Sequence, residues 1–443
     1  MSGEQSWTGR ESKDTIDVNR SIPMNPIVLR PRHETAGSTR FWIVLVTIGA
    51  LASGGCASFN PVPLDRLSFR DRAVTQSENN VRVSAAVLGE QESRQAFVRD
   101  LYAQGVQPVW LEIENRDESV VWLLPISLDP DYFAPLEVSY LHRFRFAKYA
   151  NELMDRHFHE LAIGGRVEPG ETRSGFVYTH LEHGSKVFNV DIIGQDHDLR
   201  RFTFFVQVPG LRPDYQEVDW QALYAPGQVV SYDWDGLRKA LAGLPCCVTG
   251  EAEGAQGEPL NLVLIGHPHD LLYALVRSGW DETEKEAALE PRGNTIRGSV
   301  ERYRPVSMRF AFGRSQDVSL RKSRDGRPRS QLRVWLAPMT LGGTPVWLGQ
   351  IERDLEVRPS SAGHAMDADE ARGLLLQDLL YSETLATFGF VKRGDAGAKP
   401  RLYQGLPGRP YYADGFRAVM QVSGEPRSLT EVENLRWDIP PWE

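Results

Sequence analysis

An apolar run at Phe41–Cys56, FWIVLVTIGALASGGC, divides this chain into a short polar N-terminal part and a long C-terminal remainder. Arg30, Arg32 and Arg40 stand before it, and Ala52, Ser53, Gly54 and Gly55 lead into Cys56. A basic start, a short apolar stretch and a small-residue cleavage site form the layout of a secretory signal. A cysteine directly after the small residues adds a second meaning. The small residues let a peptidase grip an extended backbone, and the thiol can carry a diacylglycerol as a thioether. The expectation is a leader over 1–55 and a mature chain beginning at Cys56, held to a membrane by lipid on that cysteine. The competing reading is a single N-terminal transmembrane anchor, although a dozen strongly apolar residues fall short of the ~20 that a spanning helix needs. Residues 1–23 are polar and without period, so Met24 is an alternative start that leaves an ordinary basic leader. Ala57 after the cysteine, where an aspartate would retain the protein in the inner membrane, favours the outer one. Either membrane places the folded part in the periplasm.

Composition sets few further bounds. The 443 residues carry a net charge of −9 and are 41% hydrophobic, as an ordinary folded chain is. Roughly 390 residues after the leader exceed what one core usually serves and suggest two domains. The mild acidity supplies no basic face, so no nucleic-acid partner is expected. Of three cysteines, Cys56 is assigned to lipid, leaving the adjacent Cys246 and Cys247. They read as two small buried residues or a partly oxidised pair. Without a C-x-x-C spacing, a redox role has little support.

Residues 56–79, with Pro61, Pro63 and three arginines, read as a tether. From Val81 the pattern has period two: Val81, Val83, Ala85 and Val87 alternate with other residues. Val109–Ile113 and Val120–Leu123, separated by a polar turn, predict a hairpin. Residues 144–161 have helical spacing. Strands resume at 175–178, 187–192 and 202–208, and Pro209-Gly210 closes the segment. The expected fold over 80–210 is an all-β sandwich with an inserted helix. Residues 211–256 read as a linker with a short helix from Trp234. A buried-strand run at Leu260–Ile265 opens the next segment, followed by a helix from Pro268. Strands at 308–312, 332–336, 345–351 and 416–422, with a helix over about 367–386, predict an α+β domain over 257–424. Its sheet is expected to be mixed and antiparallel-rich. Residues 425–443 read as a tail.

Several segments of this second domain stand out: Leu244-Pro245-Cys246-Cys247, Glu258–Gly266, Asp270-Leu271-Leu272 and Gly279-Trp280. Phe312–Val318, Arg333–Pro338, Pro345–Gly349 and Tyr411–Gly415 continue the series. Over about 244–422 the domain resembles the LssY C-terminal domain family. The resemblance implies an envelope protein and carries no established activity. Members are often joined to a membrane phosphatase of the phosphatidic-acid type. Pro359–His364 echoes that enzyme's P-S-G-H segment with one residue too many. No histidine follows His364 to act as nucleophile, and Lys322 and Arg327-Pro328 are spaced too closely for its phosphate-binding segment.

Other chemistry is sparse. His157, His159, His180, His183 and His197, with Glu160, Asp196 and Asp198, crowd the first domain. On a helix His157 and His159 point apart, so no metal site is expected. Gly266–Asp270 stands between strand and helix, where an anion can bind, yet Pro268 and Asp270 are ordinary helix-start residues. Trp110, Trp122, Trp335 and Trp347 lie on strands and are expected in the core. The candidate polar cluster is Arg314, Asp317, Asp414 and Arg417, read as buried ion pairs that fix the fold, since nothing supplies a nucleophile with a base. No catalytic residue and no cofactor is expected. The functional expectation is a lipid-anchored envelope protein that binds or assembles with a partner, such as another envelope protein. The alternative is a hydrolase acting on an envelope lipid or phosphate.

Overall fold

The computed structural model describes residues 58–440 apart from 196–197, 226, 251–255, 285–301, 325–326, 354–365, 395–400 and 407–409. Phe41–Cys56, Met24, Asp196, His197 and the Pro359–His364 echo therefore lie outside the described residues. Antiparallel sheets dominate, with six α-helices among the described residues: α1 (Glu90–Phe97), α2 (Pro135–Leu141), α3 (Lys148–Leu161), α4 (Trp234–Ala242), α5 (Pro268–Arg277) and α6 (Ala368–Tyr381). No helix among the described residues is long and apolar enough to cross a membrane. The stretch Ala57–Glu443 is one compact unit.

Period-two patterning builds the N-terminal half. One four-stranded sheet runs Val74–Glu78, Val81–Val87, Val106–Asn115, Thr172–His180, and a second runs Arg166–Val167, Val121–Leu124, Gly184–Gly194, Leu199–Val208. Val81, Val83, Ala85, Val109, Leu111 and Ile113 of the first share a core with Phe188, Val190, Ile192, Phe202 and Phe204 of the second. Residues of opposite parity do different work. Ala86, Trp110, Phe176 and Tyr178 point to the other face and pack against Phe97 of α1 and Met154 and Phe158 of α3. A strand alternates faces, so one sheet serves two cores. Trp122 is the exception among the strand tryptophans: it takes the outward parity and is 38% exposed, whereas Trp110, Trp335 and Trp347 are buried.

The stretch expected as a tether is structured from Leu64 onward. Phe69 is fully buried against Trp110, and Val74–Glu78 forms a hairpin with Val81–Val87 across a two-residue turn at Asn79-Asn80. Asn79 takes the positive φ such turns favour. This edge strand reads Val-Thr-Gln-Ser-Glu and is largely exposed, so no apolar alternation announces it.

The C-terminal half is organised by a nine-stranded sheet with Leu262–Ile265 at its centre. That strand pairs antiparallel with Thr344–Arg353 and parallel with Phe416–Val422, and both of its faces are covered. Leu262 and Leu264 pack with α5 and α6, while Val263 and Ile265 pack with Leu237 and Leu241 of α4. A central strand covered on both faces is apolar throughout, as this one is. The expected linker contributes more than a short helix. Asp233 caps α4 by accepting from the Gly236 N–H at 2.8 Å, and Val230–Tyr232 pairs parallel with Met339–Leu341. The expected tail adds Glu433–Asn434 beside Thr387–Phe388.

Gly175 marks the tightest backbone crossing in the first half. A Cβ there would stand 2.7 Å from Ile163 N and 2.8 Å from Leu161 O. The chain leaving α3 crosses the strand here, with Ile163 N–H donating to Phe176 O at 3.0 Å. Backbone cannot step aside as a flexible side chain can. Gly175→Ala should therefore cost about 1–3 kcal/mol, as overpacking does, read as a lowered urea midpoint at unchanged slope.

Candidate functional site

The four residues of the expected polar cluster do not meet in one cleft. Arg314 and Asp317 pair side by side: Arg314 Nε donates to Asp317 Oδ1 at 3.0 Å and Nη2 to Oδ2 at 2.8 Å. Asp317 Oδ2 also accepts from Leu336 N–H at 2.7 Å, and Arg314 Nη1 donates to the Tyr224 hydroxyl at 2.8 Å. Each charge thus has a bidentate partner and a second bond. A cavity of ≈ 760 Å³ opens beside them, with Val218, Ala222 and Val306 among its apolar walls and Glu284 among its acids. Burial pushes the Glu284 carboxyl up.

Asp414 pairs with neither Arg417 nor Arg314. Its partner is Arg372 on α6, which donates from Nη1 and Nη2 to Asp414 Oδ1 and Oδ2 at 2.9 Å each. Gly415 beside it has φ 84°, and the turn lets Phe416 N–H donate back to Asp414 Oδ1 at 2.7 Å. Asp369 completes the group: its Oδ2 accepts from Asp414 N–H at 2.9 Å, and its Oδ1 lies 3.3 Å from Arg372 Nη1. All three side chains are buried. Arg417 is used differently. It donates to the carbonyls of Leu260, Leu241, Leu244 and Pro245, tying the end of α4 to the sheet. Arg372 and Asp369 escape a reading of the sequence because Arg372 lies 42 residues from Asp414. Their one local sign is an acid–base pair at i,i+3, in a helix that also carries Glu370, Gln377 and Asp378.

A second cavity, of ≈ 490 Å³, lies where Gly184–Gly194 of the first half meets Asp281-Glu282 of the second. Glu282 is its most buried acid. Its Oε1 accepts from Ser185 Oγ at 3.0 Å and from the Tyr215 hydroxyl. Burial raises the Glu282 carboxyl and the Tyr215 phenol alike. Gly184 makes the room, since a Cβ there would fall 2.1 Å from Glu282 Oε2. Arg302 Nε donates to Asp281 Oδ2 at 2.5 Å, and burial lowers His183 to about 4.

The histidines serve packing and local bonds. His157 faces Ala96 O at 2.8 Å, His159 is exposed on the next face of α3, and His180 stands 2.8 Å from Asp129 Oδ2. Among the described residues no three His, Cys, Asp or Glu side chains are arranged to hold a metal ion. Gly266–Asp270 is a helix start, with Pro268 in the first turn of α5 and no side-chain cap from His267. Cys246 and Cys247 are joined as a disulfide between neighbours. Arg393 Nη1 donates to Cys246 Sγ at 2.8 Å, and the Tyr411 hydroxyl lies 3.7 Å from Cys247 Sγ.

The ion pairs and the disulfide of the second half fall largely within one stretch. Residues 239–415 match the LssY C-terminus family. The match takes in Cys246, Cys247, Glu282, Arg314, Asp317, Asp369, Arg372 and Asp414, and ends two residues before Arg417. No curated protein matches the chain.

Asp369 gives the matched segment a pH signature. Burial, with Asp414 beside it and only Arg372 to offset two carboxylates, pushes Asp369 up to about 7 from 3.8. The native state therefore holds a proton between about pH 4 and 7 that the unfolded chain has released, and stability falls as pH rises through that window. Asp369→Asn should remove a component of a few kcal/mol from this slope, leaving the variant more stable relative to wild type at pH 8 than at pH 4. Paired thermal melts at the two pH values measure it.

Proposed function

We propose that the protein is a membrane-anchored envelope lipoprotein whose folded part binds or assembles with a partner rather than catalysing a reaction. The Arg372–Asp414 pair carries this reading: it is bidentate, buried and closed over by backbone bonds. With Arg417 on four carbonyls and Arg314 on Asp317, the charges of the expected cluster are all engaged in holding loops and strands. The two halves are read as a β-sandwich domain with inserted helices over 80–210 and an α+β domain over 257–424, the latter belonging with the LssY C-terminus. The anchor is lipid on Cys56, facing the periplasm, and neither nucleic acid nor a cofactor has a role. The second reading, a hydrolase acting on an envelope lipid or phosphate, draws on one observation, the ≈ 760 Å³ cavity beside Arg314 and Asp317.

Asp414→Asn separates the two. If Asp414 fixes the turn before Phe416, the change lowers stability by about 1–3 kcal/mol, as loss of charged hydrogen bonds does, and the melting temperature falls. An unchanged melt with lost complementation in cells would favour the hydrolase. The anchor has its own check. Cells fed an alkynyl fatty acid should label the wild-type protein and leave Cys56→Ser unlabelled, and equal labelling would remove the lipid from the account.

A further inference from the structure

The hairpin of α2 and α3 carries the most exposed apolar surface of the first half. Phe146 is 105% exposed, Tyr149 71%, Tyr140 67%, Leu136 55% and Leu141 48%. Leu136 and Tyr140 are one turn apart on α2, Phe146 lies two residues before α3, and Tyr149 is in its first turn. Five large apolar side chains on one small hairpin are more than the scattered exposure of an ordinary surface.

The loop joining the two helices is basic, with the acids Glu137 on α2 and Glu152 on α3 flanking it. From Tyr140 to Tyr149 the chain reads YLHRFRFAKY, with Arg143, Arg145 and Lys148 and no acid, in a protein of net charge −9. Arg143 lies over the Tyr140 ring at 5.1 Å and also bonds Asp155. Arg145 is exposed, and Lys148 reaches only a distant Glu152 at 3.8 Å. The loop holds this arrangement open. Asn151 bonds the Phe144 backbone from both sides, at 2.9 and 3.0 Å, and Phe146 sits at φ 58°, uncommon for a bulky residue.

We propose that this hairpin tip is a membrane-contact surface, with its rings and leucines in the interface of the bilayer and its cations on anionic headgroups. Aromatic and aliphatic side chains interleaved with long cations suit that boundary, where the apolar part enters and the charge stays at headgroup level. The position suits it as well. Phe59 is buried with its ring 5.2 Å from His157 on α3. Phe59 follows Cys56 by three residues, a reach of about 10 Å. From His157 the start of α3 is about 14 Å along the helix. A lipid on Cys56 therefore keeps α3, and with it this hairpin, within reach of the bilayer. The inference rests on the anchored reading.

The test uses the full chain in vesicles of phosphatidylcholine and phosphatidylglycerol. An environment-sensitive fluorophore is placed at Phe146→Cys or, as control, at Tyr381→Cys, where the native side chain is 79% exposed at the end of α6. Unsubstituted protein serves as the labelling blank. Lipids brominated on their acyl chains should quench the label at 146 several-fold more than that at 381, and Arg145→Glu with Lys148→Glu should abolish the difference. A chain that sediments with vesicles but shows equal quenching at the two sites overturns the membrane contact and leaves the anchor standing. Shielding at 146 without bromine quenching also overturns it and points to a protein partner. A chain that does not sediment at all overturns both. Quenching at 146 on a chain whose Cys56 takes up no fatty acid overturns the anchor alone.

Discussion

One guanidinium shared by two carboxylates, away from water, fixes how α6 meets the nine-stranded sheet. Arg372 binds Asp414 with both of its terminal nitrogens and donates also to Phe416 O at 2.9 Å. Asp369, one turn earlier on the same helix, receives the Asp414 N–H. Helix, turn and strand are locked by a single group of charges. A buried ion pair adds little net stability against an apolar replacement, because desolvation opposes the attraction. What it does supply is uniqueness: sliding α6 along the sheet would strand a buried charge. Asp414 has the bidentate cation and the Phe416 N–H, while burial and a neighbouring carboxylate push Asp369 toward its protonated form.

The same logic runs through the other arginines of the segment. The last carbonyls of a helix have no partner within it, and Arg417 serves that end of α4 by donating to Leu241 O and to the carbonyls of Leu244 and Pro245 just beyond the helix. It reaches them from the strand Phe416–Val422, so a cation at a helix C-terminus, favourable for the helix dipole, also sets the distance between α4 and the sheet. Arg314 performs a comparable task at the edge, bonding Leu336 O at 2.6 Å while held by Asp317. The charges of the expected polar cluster fasten loops to strands.

How far local pattern reveals an element depends on the range of the forces that form it. Period-two strands at 81–87 and 202–208, the doubly buried run ending at Ile265 and the helix from Pro268 are written in local pattern, and each is present. Val74–Glu78 is a strand by virtue of its neighbour, and its own side chains are polar. Val230–Tyr232 belongs to the sheet through a parallel pairing with residues over a hundred positions away. Asp414 is legible as a turn residue before glycine, but its partner is not, because ion pairs carry no sequence spacing. The size of Trp122 points to the core, while its parity on the strand places it outside.

The hairpin tip shows local pattern and structure parting for a physical reason. Residues 144–161 have continuous helical spacing, yet α2 ends at Leu141 and α3 begins only at Lys148. Asn151 is the cause. Its side-chain amide accepts from Phe144 N–H and donates to Phe144 O, offering that residue's backbone an alternative to the helical ladder. With Phe144 so held, Phe146 turns to positive φ and its ring leaves the face that a continuing helix would pack. Phe144 itself stays half-buried against the core of Phe97 and Met154. The break therefore sorts two phenylalanines two residues apart, one inward and one outward. An apolar surface arises at the place where the helical period of the sequence is interrupted, and the arginines and lysine that interleave it come from the same ten residues.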